Sequence, residues 1–190
     1  MSTDMCCRSS CVQQRALTGD VRGSGVVKSA TLLDLHTWSA VIMEGDRDCV
    51  FCAIVHGESQ AHIIHRDELV TAFLDIHPVN AGHTLVVPNS HAASLRELLD
   101  DACGRMFVIG RRLDAAMSNS SLKCDAVSLY LADGRAAGQA VFHTHLHVIP
   151  RFRGDASGLR LHDGIPASPE PTDLAAQAEI LIEAMRDIKV

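Results

Sequence analysis

Three histidines, His143, His145 and His147, recur at every second position with Thr144 and Leu146 between them. Successive side chains on a strand point to opposite faces, so this spacing predicts three imidazoles on one face and the spacers on the other. Imidazole titrates nearest to neutrality, and a strip of three suits work on phosphate, protons or a metal. A lone strand histidine is usually a half-exposed polar residue. Three in register behind Gly138-Gln139-Ala140-Val141-Phe142 make a site the stronger reading. One ion held by all three rings is disfavoured, because residues four apart on an extended strand lie about 13 Å apart. A division of labour is expected instead. Ile149-Pro150-Arg151 is expected to end the strand, since proline donates no ladder hydrogen bond.

The elements that must position these residues are legible from residue 49 onward. Val50–Val55 reads as a short helix closed by Gly57, and Ala61–His65 and Leu69–Asp75 read as strands. The loop Ile76–Gly82 carries Pro78, Asn80 and Gly82, and Thr84–Val87 returns as a strand. Leu95, Leu98, Leu99, Met106, Ile109 and Leu113 recur at helical spacing, predicting a helix over Ser94–Met117 with a break near Asp100-Asp101. Ala126–Leu131 and His143–Ile149 are the remaining strands, joined through the Gly134–Gly138 loop. Thr172 is expected to cap a last helix, Asp173–Ile188. Strands in runs with two main helices imply an α+β domain on an antiparallel sheet. Three parts follow: an N-terminal extension over 1–48, a domain over 49–151, and a connection and helix over 152–190.

Composition bounds the function. The chain has 190 residues, is 47% hydrophobic and carries a formal charge of −6, which argues against a basic surface for a nucleic acid polymer. A few local donors still suffice for one phosphate. No apolar run is long enough for a membrane helix. Seven cysteines, an odd number without a scaffold pattern, favour reduced thiols and a cytoplasmic setting. The extension holds Cys6, Cys7, Cys11 and Trp38 but no apolar signal core, and reads as a partly disordered tail.

The segment Gly138–Val148 closely resembles the signature of the histidine triad (HIT) family of nucleotide hydrolases and transferases. The resemblance extends upstream through Cys49–Val55, Ala72–Ile76 and Gly82–Pro88, with His91 shortly after. It implies the same antiparallel α+β fold, and adds a homodimer whose sheets join. It implies His145 as the nucleophile that attacks the α-phosphorus of a purine nucleotide and forms a nucleotidyl-histidine. Imidazole suits that task because its neutral nitrogen is nucleophilic near pH 7. His147 and His83 resemble the phosphate-side histidines, and Gln139 with the backbone at Gly138 and Ala140 the phosphate loop. Asp75 stands where the family places a carboxylate on the ribose hydroxyls. Phe51, Ile54, Phe73, Leu74 and Ile76 match the base pocket, although core packing accounts for such residues equally well.

His143 has a second use. Cys49 and Cys52 form CxxC, which alone reads as a redox pair, two core thiols or two metal ligands. In family members with a structural zinc, two histidines complete the set, and His91 and His143 occupy the matching positions. Two thiolates and two imidazoles make the closed tetrahedral set typical of structural zinc.

Two positions depart from the family pattern. Ala140 stands where the phosphoramidase-like branch often has Ser or Thr, and Ala132 where Asn or Gln commonly meets the phosphates. Pro150-Arg151 and Gly154-Asp155 resemble the branch that cleaves diadenosine polyphosphates. The leading reading is a hydrolase of purine nucleoside phosphoramidates or related nucleotidyl conjugates. A diadenosine polyphosphate hydrolase or phosphorylase, and a non-catalytic nucleotide-binding regulator, are the alternatives.

Overall fold

The computed structural model describes residues 48–155 and 171–188. The expectations for Cys6, Cys7, Cys11 and Trp38 lie outside these residues. The first helix, α1 (Val50–His56), is closed by Gly57 in the left-handed conformation (φ 79°), whose N–H reaches the carbonyls of Ala53 and Ile54. Two short strands follow, β1 (Ile63–Arg66) and β2 (Val70–Leu74), then β3 (Thr84–Pro88). A single turn at Leu95–Glu97 precedes the long helix α2 (Asp100–Asn119). The expected break therefore falls at Leu98-Leu99, both in extended backbone, and Asp100 and Asp101 open the helix where acidic groups favour its dipole. Strands β4 (Ala126–Tyr130) and β5 (Leu146–Arg151) and helix α3 (Pro171–Asp187) complete the fold. Helix α3 begins at Pro171, so Thr172 lies inside it rather than capping it. Proline tolerates the first turn, where its missing N–H is not needed.

The five strands form one antiparallel sheet in the order β1-β2-β3-β5-β4. Every residue of β2 and β3 is buried, because both sheet faces are covered. Val70, Ala72, Leu74, Val86, Leu146 and Val148 pack with Met106, Ile109, Leu113 and Leu181 of α2 and α3. Phe73, Leu85 and Val87 face the other way, against Phe51 and Ile54 of α1. The helix α2 comes close to the sheet at Gly110, where a Cβ would lie 3.1 Å from Leu146. Leu85 is opposite His147 in the β3–β5 register, which puts His147 on the α1 face.

Two expectations for the histidine segment need correction. The strand starts at Leu146, so His143 and His145 precede it and only His147 lies within it. The reason is that Val141–Thr144 bonds elsewhere: the N–H of Thr144 donates to the carbonyl of Ala92 at 2.7 Å instead of extending the ladder. Pro150 does not end the strand, which runs on to Arg151. Arg151 turns its carbonyl toward β4, accepting from the Asp125 N–H at 2.8 Å. Pro150, one residue back, therefore faces the β3 side, beyond the start of β3 at Thr84. Its carbonyl accepts from Asn80 Nδ2 at 2.8 Å, and its missing N–H removes no strand bond.

The β1–β2 turn is fastened to α2 through one carboxylate. Asp67 accepts from the Leu69 and Val70 N–H groups, each at 2.9 Å, and from His65 Nε2 and Arg105 Nε, each at 2.8 Å. Partial burial pushes its pKa up, but the bonds from His65, Val70, Leu69 and Arg105 outweigh it and hold the carboxyl well below the usual carboxylate range. A depressed folded pKa gives stability that is complete above the unfolded value of about 3.9 and is lost as pH falls below it. Asp67→Asn should lower stability near neutrality by about 1.5–3 kcal/mol and flatten its decline below about pH 4. Urea unfolding at a series of acid pH values checks this, and an unchanged pH slope would refute it.

Candidate functional site

The α1 face of the sheet holds a cavity of about 450 Å³, within the roughly 300–1,000 Å³ range of small-molecule sites. One wall is apolar: Val50, Phe51, Ile54, Ala61, Phe73 and Leu85. The other carries His83, His145, His147 and Asp75. Each element contributes for a simple reason. Phe51 and Ile54 sit three apart on α1 and so share its inner side. Phe73 and Asp75 lie two apart, at and just beyond the end of β2, and His83 and Leu85 do the same across from them.

The hydrogen bonds around the histidines fix which nitrogen carries each proton. His145 Nδ1 lies 2.7 Å from the carbonyl oxygen of His143, which can only accept. Nδ1 therefore holds the proton, and Nε2 of the neutral ring carries the lone pair. At His83 the argument runs the other way. The Val79 N–H, which can only donate, lies 3.1 Å from His83 Nδ1, so the His83 proton is on Nε2. His83 Nε2 then donates to His147 Nδ1 at 3.0 Å, which leaves the His147 proton on its own Nε2. Burial lowers the His83 pKa to about 4, with repulsion from His145 adding to it whenever that ring is protonated, so His83 is neutral near pH 7. Its 3.5 Å approach to Asp75 Oδ2 is accordingly not an ion pair in this state.

Of the residues anticipated from sequence, His83, His145, His147, Asp75, Phe51, Ile54, Phe73, Leu74, Ile76, Gly138 and Ala140 all line the cavity. Gln139 is turned away from it. Its Oε1 accepts from the Gly134 N–H at 2.7 Å, and its Nε2 donates to the carbonyls of Ala93 and Val141 at 2.9 and 3.1 Å. The side chain braces the loop while Gly138 and Ala140 on either side line the cavity. Ala132 is buried outside the lining, so a phosphate contact is not placed there. Ser59, Gln60, Ala61, His77 and Val141 also line the cavity and were not anticipated. His77 was the most findable, since it is two residues beyond Asp75 in the same loop. Arg151 and Asp155 are paired to each other at 2.7 and 3.0 Å, and Asp155 also accepts from Asn80, so this part of the branch-like pattern braces the end of β5.

A second group lies beside the cavity. The ligating atoms of Cys49, Cys52, His91 and His143 all fall within 4.8 Å of one another. His143 Nδ1 is 3.5 Å from Cys49 Sγ and 3.4 Å from Cys52 Sγ, and His91 Nδ1 is 3.2 Å from Cys52 Sγ. A tetrahedral zinc with ordinary bond lengths would set such sulfur–nitrogen edges at roughly 3.6 Å. His143 Nε2 is 2.9 Å from the Pro88 carbonyl, so Nε2 carries the proton and Nδ1 presents a lone pair to the thiols. That outer bond orients a metal-binding imidazole. The four residues fit a structural zinc: the set is closed, with no further ligand required. Phe51 stacks edge-on against both His143 and His145, at 5.9 and 5.2 Å between ring centroids, and so joins the cluster to the cavity.

Comparison with known proteins gives one consistent picture. The family model described as HIT domain matches residues 56–154. An uncharacterized HIT-like protein of Mycobacterium tuberculosis is 42% identical over 137 residues, 72% of this chain and 92% of that protein. A protein named adenylylsulfatase HINT3, from Arabidopsis thaliana, is 32% identical over 74% of this chain and 66% of its own length. The crystal structure of a zinc-bound histidine triad family protein from Mycobacterium smegmatis superposes with a TM-score of 0.63 at 36% identity, covering 74% of this chain and 95% of that one.

The purified protein should contain about one zinc per chain. Because the binding energy of a structural zinc is also folding energy, Cys49→Ser or His91→Ala should lower both metal content and melting temperature, as should a chelator. Elemental analysis and thermal melts check this. A metal-free protein whose Cys49 and Cys52 alkylate freely would count against the site.

Proposed function

The chain belongs to the HIT domain family, the histidine triad proteins, and on that premise we propose that it hydrolyses purine nucleoside phosphoramidates or related nucleotidyl conjugates at the α-phosphorus. The observation that carries this reading is the His145 tautomer. With Nδ1–H held by the His143 carbonyl at 2.7 Å, Nε2 is a neutral nucleophile in a cavity sized for a nucleotide. In the first half-reaction Nε2 bonds to phosphorus, the bond to the leaving group breaks, and His147 Nε2–H supplies the leaving atom's proton. In the second, water displaces the imidazole and the nucleoside monophosphate departs. The Gly138–Val141 backbone faces the phosphate, and Asp75 reads the ribose hydroxyls. The base lies between Phe51, Ile54, Phe73 and Ile76, which the mixed apolar lining supports.

The leaving group is the open choice. Ala140 offers no hydroxyl to an amine, and the relative named adenylylsulfatase adds a nucleotidyl–sulfate anhydride to the candidates. A panel of adenosine phosphoramidate, adenylyl sulfate and diadenosine tri- and tetraphosphate ranks them. A cytoplasmic setting belongs to this reading, on the odd number of cysteines without a scaffold pattern. Among the described residues no helix is long and apolar enough to cross a membrane.

A homodimer belongs to the same reading. Strand β4 is an edge of the sheet with Leu129 exposed, and α2, packed on it, exposes Phe107. A second copy pairing along β4 would cover an edge that is otherwise open to aggregation. Sedimentation equilibrium should give twice the chain mass, and Leu129→Lys should shift it toward one chain. A wild-type protein that sediments as a single chain would refute the dimer.

His145→Asn should lower turnover by at least about 10³-fold while nucleotide binding and the melting temperature stay near wild type. Wild-type protein quenched during turnover should carry an acid-labile nucleotidyl group on His145. Undiminished turnover by a folded His145→Asn protein would sink the mechanism.

A further inference from the structure

Asp75, His83 and His147 lie in a row across three adjacent strands. Asp75 follows β2 and His83 precedes β3, and the Asp75 N–H donates to the His83 carbonyl at 2.9 Å, continuing the ladder by one pair. His147, in β5, stands opposite Leu85, two residues on from His83 and on the same face of the sheet. The ligating atoms of all three fall within 4.8 Å of one another. His83 Nε2 is 3.0 Å from His147 Nδ1, and His83 Nδ1 is 3.5 Å from Asp75 Oδ2. The other oxygen, Oδ1, is anchored by the His77 N–H at 2.9 Å, which aims the carboxylate.

Two groups therefore meet one ring nitrogen with opposite demands. The Val79 N–H, 3.1 Å away, requires a lone pair on His83 Nδ1. The Asp75 carboxylate favours a proton there. The first arrangement makes His147 Nε2 a donor. The second reverses both rings, so that His147 Nδ1 donates to His83 Nε2 and His147 Nε2 carries a lone pair. The reaction proposed above needs both states: a donor for the leaving group, then a base for water. Two nearby donors are committed to backbone carbonyls. The Tyr130 hydroxyl donates to the Ala137 carbonyl at 2.9 Å, and the His145 Nδ1–H to the His143 carbonyl.

We propose that Asp75, His83 and His147 form a proton relay that switches His147 from donor to base between the two half-reactions. The inference rests on the nucleotidyl-transfer reading of the site. In the first half the P–leaving-group electron pair goes to the leaving atom, which takes the proton from His147 Nε2. His147 Nδ1 takes the Nε2 proton of His83, and His83 Nδ1 takes one proton from the solvent proton pool through the Asp75 carboxyl, which returns to its ionised form. Both rings end neutral with their tautomers exchanged. In the second half the oxygen of water bonds to phosphorus and the P–N electron pair returns to His145. The proton of water goes to His147 Nε2, the His147 Nδ1 proton to His83 Nε2, and the His83 Nδ1 proton to solvent through Asp75. The net proton flow along the row is zero. His83 and Asp75 are positioning residues, acting through His147.

The test uses two 2′,3′-dideoxyadenosine substrates, which have no ribose hydroxyls for Asp75 to read. The 4-nitrophenyl ester has a leaving group that departs without a proton; the alkylamine phosphoramidate has one that must be protonated. With Asp75→Asn, formation of nucleotidyl-His145 from the ester should be little changed while its hydrolysis slows about 10²-fold, giving a burst of nitrophenolate near one per chain. From the phosphoramidate, formation itself should slow by a similar factor. Asp75→Glu should recover most of both losses. Wild-type rates for Asp75→Asn on both dideoxy substrates would overturn the relay and leave Asp75 as a ribose reader. Equal slowing of formation from both substrates would also overturn it, as a structural effect. A wild-type protein that never forms nucleotidyl-His145 would instead overturn the nucleotidyl-transfer reading itself.

Discussion

The carbonyl of Ala92 accepts two hydrogen bonds from Thr144, from its N–H at 2.7 Å and its hydroxyl at 3.0 Å, and the site depends on them. They pin the chain entering β5 onto the chain leaving β3, and Gln139 repeats the pinning at the Ala93 carbonyl. A strand running through all three histidines would place the outer rings about 13 Å apart on one flat face. Held off the ladder instead, His143 turns to Pro88 and the two cysteines, while His145 and His147 keep the cavity. Side chains two apart in sequence thus serve different centres.

His143 couples those centres through its own ring and carbonyl. Its ring completes the cysteine–histidine cluster, and its carbonyl holds the Nδ1 proton of His145. Cys49 and Cys52 sit at the start of α1, so the cluster also fixes where Phe51 meets the His145 ring. A zinc in this cluster would act on the chemistry through geometry: it holds a backbone carbonyl and an aromatic wall in place. This is why a closed ligand set, with no site left for water, suits it.

The sequence made much of this legible and some of it not. The histidine spacing, the CxxC pair and the apolar residues at 51, 54 and 73 point to the right neighbourhood through the family signature they match, although the fold brings together residues 91 apart in sequence, such as Cys52 and His143. The strand start was misplaced because periodicity reports which faces side chains prefer, and says nothing of a backbone N–H claimed by Ala92. Pro150 misled for a related reason: whether a proline breaks a ladder depends on which side its nitrogen faces, and that is set by where β3 begins. The resemblance puts Gln139 in the phosphate loop, and an amide can serve either a ligand or the loop itself. Its side chain here meets three backbone partners within 3.1 Å and braces the loop. The Asp75–His83 contact was also out of reach, since it follows from a register that places residues eight apart in sequence opposite one another.

An acidic protein that binds a nucleotide must supply its donors locally, and this one does so without formal positive charge at its centre. His83 is held neutral by burial, and the chain from the Val79 N–H through His83 delivers a polarised N–H at His147 Nε2. A fixed lysine or arginine in that place would bind phosphate more strongly, but would hold substrate and product alike and could not exchange protons near neutrality. A neutral imidazole stabilises the phosphate less until charge develops on the leaving atom, which is when its hydrogen bond strengthens. The carboxylate beside it would be a poor choice if the site only had to attract anions. Its place behind His83, two rings removed from the leaving atom along the row, makes sense for a site whose middle histidine must be able to hold its proton on either nitrogen.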